Sequence, residues 1–367
     1  MNESTDKRSS VLDFFAGSGL ASEGLKPFYR TIWANDICPK KAAVFRANFG
    51  QDIFELGPIQ EVRGTDVPIA DLSWGSFPCQ DLSLAGNMGG IGSARSGLVW
   101  HWIRVMDEMK VRPPIAVAEN VGGLISSAKG NNYKTLHYTL VDRGYKVGAV
   151  VLDAAYWVPQ SRKRVFVIAV KRSVDTSQFE EDGPSWCHPA AICNVAGALP
   201  DWIWWKISEP APRKQTLSDL IEADAEVFDQ KRTERLLSLI PEAHRLRMDS
   251  SEFKGGAIFP AYKRIRKGTQ VLELRFDGVA GCLRTPEGGS SRQFLVIKNN
   301  GSTRARLLTV REAAALMGAR KTYKIPGSYN DGYRAMGDAV VVPVVRHLAK
   351  SLLSPLSNEV EACRKRR

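Results

Sequence analysis

Four short stretches bring together residue types that could do chemistry. In WGSFPCQDLSLAG, residues 74–86, Cys79 stands between a proline and a glutamine directly after the apolar run PIADLSW. A thiol at a strand end can have its thiolate stabilised by local backbone dipoles, and a thiol titrating below its ordinary value of about 8.5 becomes a nucleophile. In AVAENV, Glu119 and Asn120 end another apolar run. Partial desolvation there favours a carboxyl's neutral form, which can carry a proton at neutral pH. In VPQSRKRVFVI, Gln160, Arg162 and Arg164 alternate along an extended segment and are expected on one face. Two such guanidiniums could hold a base carbonyl, a phosphate or the glutamate. Each stretch also has a plain structural reading: a packed cysteine, a Glu-Asn turn, a solvated Arg-x-Arg edge.

The fourth stretch, LDFFAGSGLASEG, reads as a strand, a glycine turn and a helix start. Glycines let a backbone approach a ligand closely, and a helix start favours anionic groups. A dinucleotide fingerprint needs GxGxxG, but Gly17 and Gly19 are followed by Ala21 and Ser22, with the next glycine at Gly24. Asp36, at the end of the following strand in WANDI, could bind ribose hydroxyls. Asp13, Gly17, Gly19 and Asp36 together suit an adenosine-bearing cofactor without a pyrophosphate, such as S-adenosyl-L-methionine. A purely structural turn is the alternative.

These stretches need elements to position them. Over the first 172 residues apolar, β-rich runs alternate with helix-like segments: SVLDFF, RTIWANDI, DLSWGSF, IAVAENV, KVGAVVLDA and RVFVIAVK are expected strands. PKKAAVFRANFG has proline near its start and glycine at its end, the asymmetry of a helix. This alternation predicts an α/β fold with a doubly wound, mostly parallel sheet, whose ligands bind at the carboxyl ends of the strands. From about residue 173 the texture becomes irregular and rich in proline and tryptophan. AYKRIRKGTQVLELRF reads as a basic hairpin, TVREAAALMGAR as a helix capped by threonine, and MGDAVVVPVVRHLAKSLL as a last strand. The basic end, RKRR, is expected to be disordered. Residues 1–172 and 326–367 are therefore assigned to one domain and 173–325 to a smaller one.

Apolar content of 44% and charged content of 25% in 367 residues are those of a soluble globular protein. The polar start MNESTDKRSS does not read as a signal peptide, and no apolar run approaches the ~20 residues that span a bilayer, so a cytoplasmic protein without a membrane partner is expected. The six cysteines form no CxxC pair, and no metal site is expected from them; Cys187, His188 and Cys193 are the nearest to one. A net charge of +12 points to a polyanionic partner.

In order, DFFAGSG, PCQ, ENV, QSRKR, LLTVREAAALMG and GDAV resemble the DNA cytosine-5 methyltransferase family from about residue 11 to 345. The resemblance implies an S-adenosylmethionine-dependent methyltransferase fold with a target-recognition domain in the middle, and methyl transfer to C5 of a cytosine flipped out of double-stranded DNA. It makes Cys79 the nucleophile that adds to C6, Glu119 the group at the ring N3, Arg164 a residue facing the active site and Arg162 one that helps hold the base. It lines the cofactor with Phe15, Gly17, Ser18, Gly19, Leu20, Asp36, Ile37, Ile59, Pro78, Leu98, Asp338, Ala339 and Val340. Three departures stand out: Pro58 where the family usually has an aspartate near the adenine, Asp338 for an asparagine, and RKTYKIPGSYNDGY where FPD often follows.

Lys263, Arg264, Arg266 and Lys267 are expected to contact phosphates. Gln80, Arg95 in a glycine-rich loop over the base, and Gly288, Gly289, Ser290, Ser291 and Arg292 are the other expected DNA-contacting residues. Trp186, Trp202, Trp204 and Trp205 read as core of the smaller domain. A monomer on DNA is expected, from a restriction–modification pair with a cognate endonuclease, or an orphan or phage enzyme. A tRNA-methylating relative shares the motifs, though a recognition region this long argues for duplex DNA. Two readings of other classes remain: a DNA-holding module without turnover, and a nicotinamide oxidoreductase, which has no use for PCQ.

Overall fold

A strand buried on both faces cannot alternate in polarity. Ile115–Asn120 is such a strand, with all six residues buried, and it lies inside a seven-stranded sheet. The computed structural model describes residues 6–78, 97–284, 292–299 and 301–366. These form two compact units, one of residues 1–153, 163–210 and 344–367, the other of residues 154–162 and 211–343.

The sheet of the first unit contains β1 (Ser9–Phe14), β2 (Tyr29–Asp36), β3 (Phe54–Leu56), β4 (Leu72–Gly75), β5 (Ile115–Asn120), β6 (Tyr145–Asp153) and β7 (Lys163–Lys171), in the order β3-β2-β1-β4-β5-β7-β6. All neighbours are parallel except β7, which is antiparallel to both β5 and β6. The strand order reverses between β1 and β4, and such a switch point leaves a crevice at the carboxyl ends. The helices are α1 (Leu20–Leu25), α2 (Pro39–Phe49), α3 (Leu98–Glu108), α4 (Gly123–Ser126), α5 (Asn131–Val141) and α6 (Ala190–Ala196). Pro39 starts α2, and Gly50 stops it with φ 93°. From α3, Trp102, Ile103, Val105 and Met106 enter the core with Leu12, Phe14 and Tyr145. Each such side chain contributes roughly 1.5–3 kcal/mol by leaving water.

The expected boundary at 173 differs from the structural one for a physical reason. β6 is an edge strand, and residues 187–203 run beside it: Val147 N–H donates to Asp201 O at 2.9 Å, Ile203 N–H to Val147 O at 3.0 Å and Val151 N–H to Cys187 O at 2.8 Å. Backbone groups that would otherwise be exposed are thereby paired. Of the four tryptophans expected in the core of the smaller domain, Trp205 is fully buried but in this unit, the half-buried Trp202 and Trp204 pack on the sheet's cluster, and the half-buried Trp186 donates to Ile207 O at 2.8 Å. Cys187 and His188 are buried there too.

The second unit holds α7 (Gln230–Leu237), α8 (Glu242–Met248) and an antiparallel sheet of β8 (Ala257–Arg266), β9 (Thr269–Leu274), β10 (Gln293–Asn299) and β11 (Ser302–Leu307), in the order β11-β10-β8-β9. β8 and β9 are the expected hairpin. α9 (Val310–Leu316) begins with a full capping box, Thr309 accepting from Glu312 N–H while the Glu312 carboxylate accepts from Thr309 N–H. α10 (Tyr329–Gly337) is capped the same way by Ser328 and Asp331.

The expected last strand is instead helical: α11 (Val342–Leu348), a π-helical turn at Ala349–Leu353, and α12 (Ser354–Lys365). The valine run suggests a strand by propensity, but Leu348, Leu352 and Leu356, four apart, are all fully buried, and that spacing is helical. This burial also accounts for apolarity beyond the sequence expectation: Tyr329–Lys365 is long and apolar enough to cross a bilayer, yet 56% of its most apolar window is buried inside the protein. The basic end is not wholly loose either. Arg364 lies in α12 and its guanidinium reaches Asp71 at 2.7 Å.

Candidate active site

In the first unit the turn after β1, the ends of β2, β4 and β5, and the start of β7 lie along one edge of the sheet, because β7 alone is reversed. The turn needs left-handed backbone at Phe15 (φ 56°), Gly17 (φ 54°) and Gly19 (φ 82°). A Cβ on Gly19 would stand 2.7 Å from Phe49 and 2.8 Å from Phe45, so its bareness serves packing on α2. A Cβ on Gly17 would meet Lys41, Phe15 O and Asp36 only at ordinary contact, 3.8 to 4.0 Å, so there the glycine serves the left-handed backbone rather than close packing. The Asp36 carboxylate accepts from Gly17 N–H at 2.9 Å and from Cys38 N–H at 2.8 Å, joining the turn to the end of β2.

These residues fit a nucleoside. A carboxylate oxygen can accept a second hydrogen bond, and Ile37, next to Asp36, is 67% exposed, an apolar surface with nothing of its own to cover. Ser18 and Leu20 are buried in the turn and α1, Ile59 belongs to the core cluster, Leu98 packs against it and Pro78 is exposed. Asp338, Ala339 and Val340 belong to the second unit.

Asp13, on β1, is wholly buried; one carboxylate oxygen accepts from Ser22 Oγ at 2.6 Å and the other has no hydrogen-bond partner. Burial pushes its pKa up to about 7. The sequence grouped Asp13 with the cofactor turn and signalled neither this burial nor the orphaned oxygen.

At the end of β5, Glu119 is buried and its Oε1 lies 3.1 Å from Arg164 Nε. The register explains the meeting: Glu119 pairs with Phe166 and Asn120 with Val165, so Arg164 follows next on β7. Asn120 donates from its amide to Phe77 O at 2.9 Å, fixing the segment between β4 and Pro78. Cys79 follows Pro78 in the chain and, with Gln80 and Arg95, lies outside the described residues. Asn120 is thus a positioning residue; it was visible in the ENV triplet without an assigned task.

Arg162 and Arg164 do not act as the pair their spacing suggests. Gln160 and Arg162 precede β7 and belong to the second unit. The Arg162 guanidinium donates to Leu283 O at 2.8 Å, Gly337 O at 3.0 Å and Ala339 O at 2.6 Å. The Gln160 side chain donates to Leu316 O at 2.8 Å and accepts from Leu283 N–H at 3.1 Å. Both side chains bind together backbone segments distant in sequence, and alternation held only while the chain stayed extended.

Among the expected DNA-contacting residues, Arg266 donates from Nε and Nη2 to the two carboxylate oxygens of Glu273, at 2.5 and 2.9 Å. Lys263 lies over the Phe294 ring at 5.4 Å and Arg264 over Tyr262 at 4.8 Å. Lys267 is exposed at the hairpin turn. Arg292 donates to Asn330 at 2.7 Å and lies 5.8 Å from the Tyr329 ring centre. Gly288, Gly289, Ser290 and Ser291 lie outside the described residues.

The family model for C-5 cytosine-specific DNA methylase matches residues 9–354. The chain is similar to the Type II methyltransferase M.MspI of Moraxella sp, with 27% identity over 93% of this chain and 69% of that one. It is also similar to M.HhaI of Haemophilus parahaemolyticus, with 26% identity over 97% and 99%. Among solved structures, the Dnmt2 methyltransferase of S. pombe shares the fold at a TM-score of 0.60 and 19% identity, over 96% of this chain and 99% of that one. A putative DNA modification methyltransferase encoded within an E. coli prophage does so at 0.55 and 21%, over 96% and 99%. A match that runs through both units, on a sheet whose carboxyl edge carries the expected glutamate and arginine, shows that this chain belongs to the C-5 cytosine-specific DNA methylase family and is a DNA cytosine methyltransferase.

Proposed function

We propose that the protein methylates C5 of a cytosine flipped out of duplex DNA, through a covalent bond from Cys79 to C6, at one short sequence, as the modification half of a Type II restriction system. The relatives bearing the Type II name support that setting. The observation that supports the chemistry is buried Glu119 held by half-buried Arg164 beside the Asn120-held segment that leads to Cys79.

Cytosine C5 is a poor nucleophile while the ring keeps its conjugation. Attack by the Cys79 thiolate on C6 forms the S–C6 bond and pushes the ring electrons toward C5, which becomes enamine-like. Glu119 delivers a proton toward N3 and draws electrons away from C6 during attack. Arg164, fixed on β7, holds the Glu119 carboxyl in place. Once C5 carries its methyl group, loss of the C5 proton to solvent returns electrons to the ring and expels Cys79 as thiolate with the S–C6 electron pair, while N3 gives its proton back to Glu119. Extruding the base costs a few kcal/mol, which DNA contacts of the second unit, the proposed target-recognition domain, must offset. S-adenosyl-L-methionine, held by Phe15, Gly17, Ser18, Gly19, Asp36 and Ile37, supplies the electrophilic methyl.

The test is incubation of the protein with S-adenosyl-L-methionine and unmethylated plasmid, then bisulfite sequencing, with Cys79→Ser alongside. Protected cytosines in one shared short sequence, absent with the variant, are expected. Protection that survives Cys79→Ser sinks the covalent route, and no protection with DNA binding intact sinks the activity.

A further inference from the structure

The β8–β9 hairpin ends in residues that its own packing does not use. Phe259 and Ala261 on β8, with Leu272 and Leu274 on β9, face the core of the second unit. Side chains on a strand alternate, so Ile265 and Gln270 continue that face past the end of the core. They are directly opposite each other in the register. Ile265 is 71% exposed, more than any other large apolar residue among the described residues, and Gln270 is exposed beside it. The other face braces the ribbon: Glu273 clasps Arg266, and Arg264 covers Tyr262. Lys267 (φ 48°) and Gly268 (φ 79°) close the hairpin, a two-residue turn whose twist suits the strands and keeps the tip rigid.

We propose that Ile265 and Gln270 read one A·T pair in the major groove of the target DNA. From Lys263 to Glu273 the hairpin holds four cations and one acid, and with Arg266 paired to Glu273 three cations remain, so a polyanion is the partner it fits rather than an apolar protein surface. A two-stranded ribbon fits the major groove, about 12 Å wide. A glutamine amide offers a donor and an acceptor in one plane, matching adenine N7 and its N6 amino group. A branched apolar side chain matches the thymine methyl. Opposed residues on a hairpin have Cβ atoms about 5 Å apart, close enough to address the two bases of one pair. Exposed Lys267 meets the phosphates beside it. This inference rests on the reading of the second unit as the target-recognition domain.

The test uses the full chain and a pool of duplexes randomised around a fixed cytosine, with the bound fraction sequenced. Wild type is expected to select a site with a fixed A·T pair. Gln270→Ala and Ile265→Ala each lower discrimination at that position by about tenfold or more, leaving the other positions as they were, and Gln270→Glu shifts the choice from A toward C. Thermal melting checks that each variant is folded. Choice unchanged at every position in folded variants, an equal loss for all sequences, or a wild-type site without a fixed A·T pair overturns the proposal. Bisulfite mapping of the selected duplexes is read separately: a selected but unmethylated site sinks the proposed chemistry and leaves the base reading standing.

Discussion

Among the described residues Glu119 is paired with Arg164 at 3.1 Å, and the task proposed for it requires a proton that this partner cannot supply. Glu119→Gln keeps the shape and the hydrogen bond to Arg164 but removes the proton exchange. Methyl transfer is expected to fall by about 10²–10⁴-fold in single-turnover assays, while the protein melts as before; an unchanged rate removes Glu119 from the mechanism. Asp13 predicts a pH effect at a site that makes no attack. Its folded pKa of about 7 lies above the unfolded value of about 3.9, so the folded form binds the extra proton between them. Its contribution to stability is full below pH ~4, falls by about 1.4 kcal/mol per unit as pH rises, and is lost above about 7. In urea titrations from pH 4.5 to 7.5, Asp13→Asn should lack this decline. A variant that declines as steeply as wild type excludes Asp13 as the source.

At the scale of elements, the start of α9 depends on a buried ion pair. Both Glu312 carboxylate oxygens accept from Arg306, at 2.6 and 2.7 Å, and they also take N–H bonds from Thr309 and Glu222. Arg306 and Glu312 are almost completely buried. Such a pair adds little over a well-packed apolar core, but breaking it strands one charge. Glu312→Gln should therefore cost about 3–5 kcal/mol of stability, seen as a lower urea midpoint. A loss below ~1 kcal/mol would mean that Arg306 finds another acceptor. Here the sequence supplied the cap and not the pair: threonine followed three residues later by glutamate is a local signal, whereas Arg306 reaches Glu312 only because β11 ends beside α9. Similarly, glycine spacing marked the β1 turn, but Phe45 and Phe49 against Gly19 come from α2 folding back over it.

For the whole molecule, the net charge of +12 favours phosphate contacts, and the number of those contacts sets how DNA affinity responds to salt. Neutralising phosphates releases counterions, so log affinity should fall linearly with log salt, by on the order of 10³ between 50 and 200 mM for about six contacts. Fluorescence anisotropy with a duplex measures this, and Lys267→Ala should lower the slope by about one. An affinity indifferent to salt contradicts a phosphate-binding role for the basic hairpin.

By itself the sequence left out β3 and α3 to α5 but determined β1, β2 and β4 to β7 of the sheet, α1 and α2, the hairpin, the capped α9 and the four stretches proposed to carry the chemistry. These are legible because glycine, proline, caps and hydrophobic period act within a few residues of chain. Tertiary structure alone decided which partners those residues take. It turned the valine run near 342 into helix, because burial of Leu348, Leu352 and Leu356 outweighs β propensity. It laid residues 187–203 along β6, because an edge strand needs its backbone paired. It separated Arg162 from Arg164, giving one to backbone carbonyls and the other to Glu119, and set Ile265 opposite Gln270 at the hairpin tip. Each outcome depends on register and contact between segments far apart in sequence, which no local window contains.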